Sequence, residues 1–120
     1  MKERHKMRRL VKTFKALSDM NRMRILKMLE VRPLCVCEMT YVLGLASSTV
    51  SKHLYLLRDA EFIMDQKQGK WVNYELSQEN RQEYIGDLLP LLSKWLPDDQ
   101  TVIADREKMK SADRNVLCGS

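Results

Sequence analysis

Apolar residues recur at helical spacing from near the start of the chain. Leu10, Phe14 and Leu17, with Val11 beside them, predict a first helix over about 6–17. Ser18-Asp19 interrupts the pattern, and either residue suits the N-cap of a second helix. Met23, Leu26 and Leu29 form the apolar stripe of that helix. It runs to about Val31, because Arg32-Pro33 follows and the residue before a proline avoids the α region. A short third helix is predicted from about Cys35 to Leu43, closing at Gly44. Ser47 then suits the cap of a fourth helix whose buried stripe is Val50, Leu54 and Leu57. Two helices joined by a short turn containing glycine read as a helix-turn-helix.

The period changes after Ala60. Phe62-Ile63-Met64 reads as a short strand, 66–70 as a polar turn with Gly69, and 71–76 alternates with period two. That predicts a β-hairpin with Lys67 and Lys70 at a basic tip. Ser77 is expected to cap a last helix carrying Tyr84, Leu88, Leu91 or Leu92, and Trp95, and Pro90 is expected to kink or break it. Beyond Pro97 only Val102, Ile103 and Met109 hint at periodicity. The division expected is a domain over 1–97 and a polar tail over 98–120, a marginal helix or disordered. The fold class is mainly α, an α+β chain with one hairpin.

The outer face of the fourth helix changes the picture from fold to function. At 100° per residue, Ser48, Ser51, Lys52 and Tyr55 lie opposite the apolar stripe, and Ser47 and Thr49 open the helix. Small hydroxyls let a helix approach base edges in a major groove, and a lysine supplies a phosphate or guanine contact. His53 falls between the two faces and suits packing or a phosphate contact better than metal ligation. Lys67 and Lys70 on the following hairpin suit an adjacent DNA backbone or minor groove. A solvated charged face is the alternative for the helix alone; the order helix, helix, turn, helix, basic hairpin favours double-stranded DNA.

Charge supports that partner. The 120 residues carry a net +5, with +7 in residues 1–76 and −2 in 77–120. The length allows one small domain, a size that often gains stability by pairing. No apolar run approaches a membrane span, and no apolar stretch follows Met1-Lys2-Glu3-Arg4-His5, so neither a membrane nor a secretory leader is expected. The setting expected is cytoplasmic and reducing, with the three cysteines as thiols.

Cys35 and Cys37 form a Cys-x-Cys pair at the start of the predicted third helix. Neighbouring soft ligands select As(III), Sb(III), Cu(I), Cd(II) or Zn(II). Helix N-terminal amides are expected to lower a thiol pKa there. Two small buried apolar residues are the alternative. In a regular helix, residues two apart point about 200° apart. Binding both to one ion is therefore expected to unwind or tilt the first turn, which displaces the DNA-reading helix packed on it. Catalysis by Cys35 is not expected: the histidines are His5 and His53 alone, and no glycine-rich anion loop is present.

Four segments together resemble the ArsR/SmtB family of winged-helix metalloregulators. These are Phe14–Leu26 (FKALSDMNRMRIL), Leu34–Glu38 (LCVCE), Ser48–Leu54 (STVSKHL) and Lys67–Val72 (KQGKWV), in unbroken order across roughly 7–96. The resemblance implies a bacterial homodimeric winged-helix repressor with a two-stranded wing. Such a repressor leaves its palindromic operator when a metal or metalloid binds. It implies that the first and last helices pair two subunits, making Phe14, Tyr84, Leu88, Leu92 and Trp95 interface candidates, with the core of a single chain an equal explanation for each. Leu34–Glu38 resembles the arsenic box, so As(III) or Sb(III) at Cys35 and Cys37 is the expected inducer. Three-thiolate boxes often carry a further cysteine where this chain has Thr40. Two thiolates suffice, or Cys118 supplies the third; the first is the favoured expectation. The zinc ligands some members carry on the last helix have no counterpart, since 77–97 contain no histidine. Sensing of redox state, or of Cd or Zn, through the same cysteines is the alternative function.

Overall fold

The computed structural model describes residues 2–78 and 82–118. Helices α1 (Lys2–Leu17), α2 (Met20–Leu29), α3 (Val36–Leu43) and α4 (Ser47–Asp59) come first, followed by strands β1 (Ile63–Gln68) and β2 (Trp71–Leu76). Helices α5 (Glu83–Lys94), α6 (Gln100–Met109) and α7 (Arg114–Leu117) complete the chain. The two strands pair antiparallel, from Ile63 opposite Leu76 to Gln68 opposite Trp71. The fold is mostly helical with one hairpin, and no helix among the described residues is long and apolar enough to cross a membrane.

Local chemistry sets the breaks. Asp19 caps α2, its Oδ1 accepting from the amides of Asn21 at 2.8 Å and Arg22 at 3.0 Å. Gly44 ends α3 at φ 69°, a left-handed conformation that glycine adopts at little cost. Ile25, Met28, Leu34, Met39, Val50, Leu57 and Phe62 are all fully buried, so α2, α3 and α4 share one core with the root of the hairpin. Leu34 forms a two-bond β-bridge with Tyr74, which fastens the loop before α3 to β2.

Several boundaries differ from the sequence pattern. Ser47 is the first helical residue of α4, and the cap is Ala46, which makes no side-chain cap bond. β1 continues to Gln68, leaving Gly69 and Lys70 as the turn, because ladder pairing extends the ribbon beyond its apolar root. Ser77 does not cap a helix; its Oγ donates to Glu61 O at 2.6 Å, and α5 starts at Glu83 behind the cap Gln82. Helix α5 runs through Pro90, held on both sides by buried Ile85 and Leu92.

The described part of the expected tail, 98–118, is helical at 100–109 and 114–117, and α6 and α7 pack on α2 and α3. Val102 and Met109 are buried, and Asp105 is buried with its carboxylate against Arg24 in two bonds of 2.9 Å. Lys27 is also buried. Its Nζ donates to Leu92 O at 2.8 Å and Trp95 O at 2.7 Å, closing the C-terminal end of α5, and pairs with Glu30 at 2.8 Å. Arg106 donates to Glu30 Oε1 at 2.8 Å and Lys27 O at 3.0 Å. Helices α2, α5 and α6 are thus joined by charge-assisted bonds that a hydropathy pattern does not display.

Asp105→Ala leaves Arg24 unpaired at this contact. It is expected to lower the unfolding free energy by about 2–3 kcal/mol, read as a lower urea midpoint, since Arg24 retains some access to water. Asp59→Ala, which breaks an exposed pair with Lys12 at 2.6 Å, should stay within about 1 kcal/mol of the parent.

Candidate DNA-reading face and cysteine site

Helix α4 buries Val50, Leu54 and Leu57 and presents Ser47, Ser48, Thr49, Ser51, Lys52 and Tyr55 to solvent. That face adjoins a groove lined by Arg22, Ser48, Thr49, Lys52 and His53. His53 is half-buried rather than fully presented. Arg22 Nη1 lies 3.2 Å from its Nδ1, and a guanidinium only donates, so Nδ1 is the acceptor. Arg22 also donates to Ala16 O at 2.7 Å and Lys15 O at 3.1 Å, which fixes the end of α1 beside α4. Sequence reasoning passed over Arg22, although it stands in the motif-bearing stretch.

Lys67 is exposed on β1, and Lys70 sits in the turn with its Nζ 4.8 Å from the centroid of the Trp71 ring. Arg114 Cζ lies 5.0 Å from the same ring, so α7 reaches the wing. Trp71 and Arg114 were not singled out from sequence; no local pattern links residues this far apart.

The cysteines meet at the start of α3. Cys35 is the N-cap, with extended backbone at φ −94° and ψ 169°, and Cys37 is the second helical residue. The expectation that both thiols stand on a regular helix, about 200° apart, therefore fails: Cys35 lies outside the helix. Its amide donates to Glu38 Oε1 at 2.9 Å, the reach-back half of a capping box that Cys35-x-x-Glu38 could have signalled. Glu38 is buried and also accepts from Arg32 at 2.9 Å and Arg114 at 3.2 Å.

Cys37 and Cys118 are joined in a disulfide with their Cα atoms 5.5 Å apart, which corrects the expectation of three thiols. Docking of α7 against α3 brings them together across 81 positions of sequence. Cys35 is free and buried, and its Sγ lies 4.0 Å from that of Cys118. Burial pushes the Cys35 thiol above its ordinary value; the Glu38 amide opposes this and the Glu38 carboxylate reinforces it. The helix terminus does not lower it as expected. Glu38 is held below the usual carboxylate range: burial opposes its ionisation, but the bonds from the Cys35 amide and Arg32 outweigh it. With Cys37 and Cys118 joined, no three His, Cys, Asp or Glu side chains among the described residues are arranged to hold a metal ion.

The five interface candidates divide. Phe14 and Trp95 are 51% and 49% exposed, Tyr84 and Leu88 are half-buried, and Leu92 is 3% exposed inside the core of the single chain. Leu92 is thus a core residue and not a free surface. Its neighbour Leu91 is the exposed position.

The model of the family described as bacterial regulatory protein, arsR family, matches residues 19–64. The arsenical resistance operon repressor of Escherichia coli is 33% identical over 109 residues, covering 88% of this chain and 83% of that protein. The arsenic resistance transcriptional regulator ArsR1 of Pseudomonas putida is 35% identical over 96 residues, covering 77% and 75%. Among solved structures, reduced HlyU from Vibrio cholerae superposes with a TM-score of 0.65 at 27% identity, covering 81% of this chain and 98% of that one. The transcriptional regulator HlyU from Vibrio vulnificus gives 0.59 at 29% identity, covering 78% and 94%.

The raised Cys35 pKa gives a pH prediction. In a Cys37→Ser/Cys118→Ser background, the rate of iodoacetamide alkylation should rise with pH through a midpoint above that of an ordinary cysteine. Glu38→Gln removes the neighbouring negative charge and should shift the midpoint down. An unshifted midpoint in both proteins would contradict the assignment.

Proposed function

The chain belongs to the ArsR family of bacterial regulatory proteins, and from that premise we propose that it is a metalloid-responsive transcriptional repressor. It binds operator DNA as a homodimer and leaves it when As(III) or Sb(III) binds the Cys35 and Cys37 thiolates. The relatives and the Vibrio vulnificus neighbour are transcriptional regulators, not enzymes.

One observation carries the reading: Cys35 caps the helix that packs on the DNA-reading helix, and its preceding residue is bonded to the wing. Soft thiolates suit a soft trivalent ion. Cys35 is buried and protonated at neutral pH, so the inducer displaces a proton and draws the sulfur from its seat. Displacement of the α3 cap acts on α4 through side-chain packing and on β2 through the Leu34–Tyr74 bridge. In a dimer both half-sites must keep a spacing of about one DNA turn, so a small rotation of each α4 spoils the pair.

DNA contacts fall to Ser47, Ser48, Thr49, Ser51, Lys52 and Tyr55 on α4 and to Lys67 and Lys70 on the wing. His53, anchored by Arg22, orients the helix. Exposed Phe14 and Trp95, with half-buried Tyr84 and Leu88, supply the apolar surface that pairs two subunits. A second reading is favoured by the Cys37–Cys118 disulfide: release by oxidation of these cysteines. Cadmium or zinc at the same cysteines is weaker, because these ions favour four ligands and the described residues bring three sulfurs together at most.

The test is fluorescence anisotropy on a duplex operator selected from random DNA, with the protein reduced and its dimer state read by sedimentation. Micromolar arsenite should release the DNA, and Cys35→Ser should bind DNA and ignore arsenite. Release by peroxide but not by arsenite would transfer the function to redox sensing.

Lys52→Ala and Lys70→Ala should each weaken binding and reduce the slope of log affinity against log salt by about one. Unchanged affinity in both would remove α4 and the wing from the interface.

A further inference from the structure

We propose that Cys118 completes a three-sulfur site with Cys35 and Cys37, which takes one trivalent arsenic or antimony and staples α7 to the start of α3. The proposal rests on the reading above that Cys35 and Cys37 bind the metalloid, and it assigns the third ligand.

Thr40 does not fill that place. Its Oγ1 donates to Cys37 O at 2.8 Å, and a hydroxyl is a hard donor. Cys118 is delivered to the site by contacts that involve no sulfur. Arg114 pairs with Glu38, Tyr41 Oη and Ser111 Oγ lie 2.9 Å apart, and Arg32 donates to Met109 O at 3.3 Å. Asp113 caps α7 by accepting from the Asn115 amide at 2.9 Å. These contacts hold α7 and Cys118 against α3 independently of the sulfurs. There the Cys118 sulfur is bonded to that of Cys37 and is 4.0 Å from that of Cys35. The Cys118 sulfur is thus next to both of the others, and reduction of its bond to Cys37 frees three neighbouring sulfurs to converge on one pyramidal ion.

The chemistry balances. A thiol reductant first gives two electrons and two protons to the Cys37–Cys118 bond and leaves as its own disulfide. Arsenite as As(OH)3 then exchanges its three As–O bonds for three As–S bonds. The three thiol protons leave with the three hydroxides as water, and arsenic stays trivalent. Three thiolate charges cancel the trivalent centre, so no uncompensated charge enters a pocket in which Cys35 is buried. A two-thiolate adduct instead keeps an As–OH group there that needs its own hydrogen-bond partner.

Native mass spectrometry of the reduced full chain with arsenite tests this. The expected adduct is one arsenic with three protons lost and no hydroxide retained. Cys118→Ser should give one arsenic plus hydroxide with two protons lost. It should bind roughly tenfold or more weakly, the order of loss that removing even an outer-shell partner of a metal ligand causes. A second measurement needs no variant: arsenite should protect all three cysteines of the parent chain from alkylation. A parent adduct that keeps its hydroxide, with Cys118 alkylated at the free rate, would overturn the proposal and leave the two-thiolate reading standing. Absence of any arsenic adduct would overturn both.

Discussion

A carboxylate buried to 3% exposure cannot stand uncompensated, and the compensation of Glu38 organises the sensing end of this molecule. Its donors come from three places: the Cys35 amide at the cap of α3, Arg32 in the preceding loop, and Arg114 on α7. Each bond fixes one wall of the cysteine site. The first holds Cys35 in extended backbone outside the helix. The third brings α7, and with it Cys118, against α3. Burial, reinforced by this same carboxylate, raises the Cys35 thiol above its ordinary value.

The rest of the fold converts events at that site into events at the DNA-reading surface. A shared core leaves α3 and α4 little freedom to move independently, because well-packed interiors transmit displacement rather than absorb it. The Leu34–Tyr74 bridge adds a backbone route to the wing, and the Arg114 contact with Trp71 adds a side-chain route. The first starts next to Cys35, and the second on α7, whose C-cap is Cys118. The polar contacts of Lys27, Arg24 and Arg106 hold α5 and α6 against α2.

Much of this was legible in the chain. Val50, Leu54 and Leu57 mark the inner face of α4, Asp19 and Gly44 mark helix ends, and the change of period after Ala60 marks the hairpin. Each is a local signal with a local cause. What escaped depends on distant partners. Helix α6 has a weak stripe because one of its three buried residues is Asp105, whose burial is made tolerable by Arg24. Leu92, an interface candidate by family resemblance with a core role as the alternative, is buried by the core of its own chain. Cys35 and Cys37 were readable as a pair. The place of Cys118 beside them follows from α7 docking on α3, which no periodicity encodes. The raised thiol pKa was missed because the helix-terminus argument considers amides and omits the burial of the thiol, and after it the neighbouring Glu38 carboxylate.

The central claim is that the cysteine site is mechanically continuous with α4 and the wing. Amide hydrogen exchange on the reduced protein, with and without arsenite, addresses it directly through the Leu34 and Tyr74 amides, which donate to each other's carbonyls at 3.1 and 2.8 Å. The account predicts that arsenite speeds exchange at both amides and in the first turn of α4 as DNA affinity falls. Loss of DNA affinity with unchanged protection at Leu34, Tyr74 and α4 would contradict it.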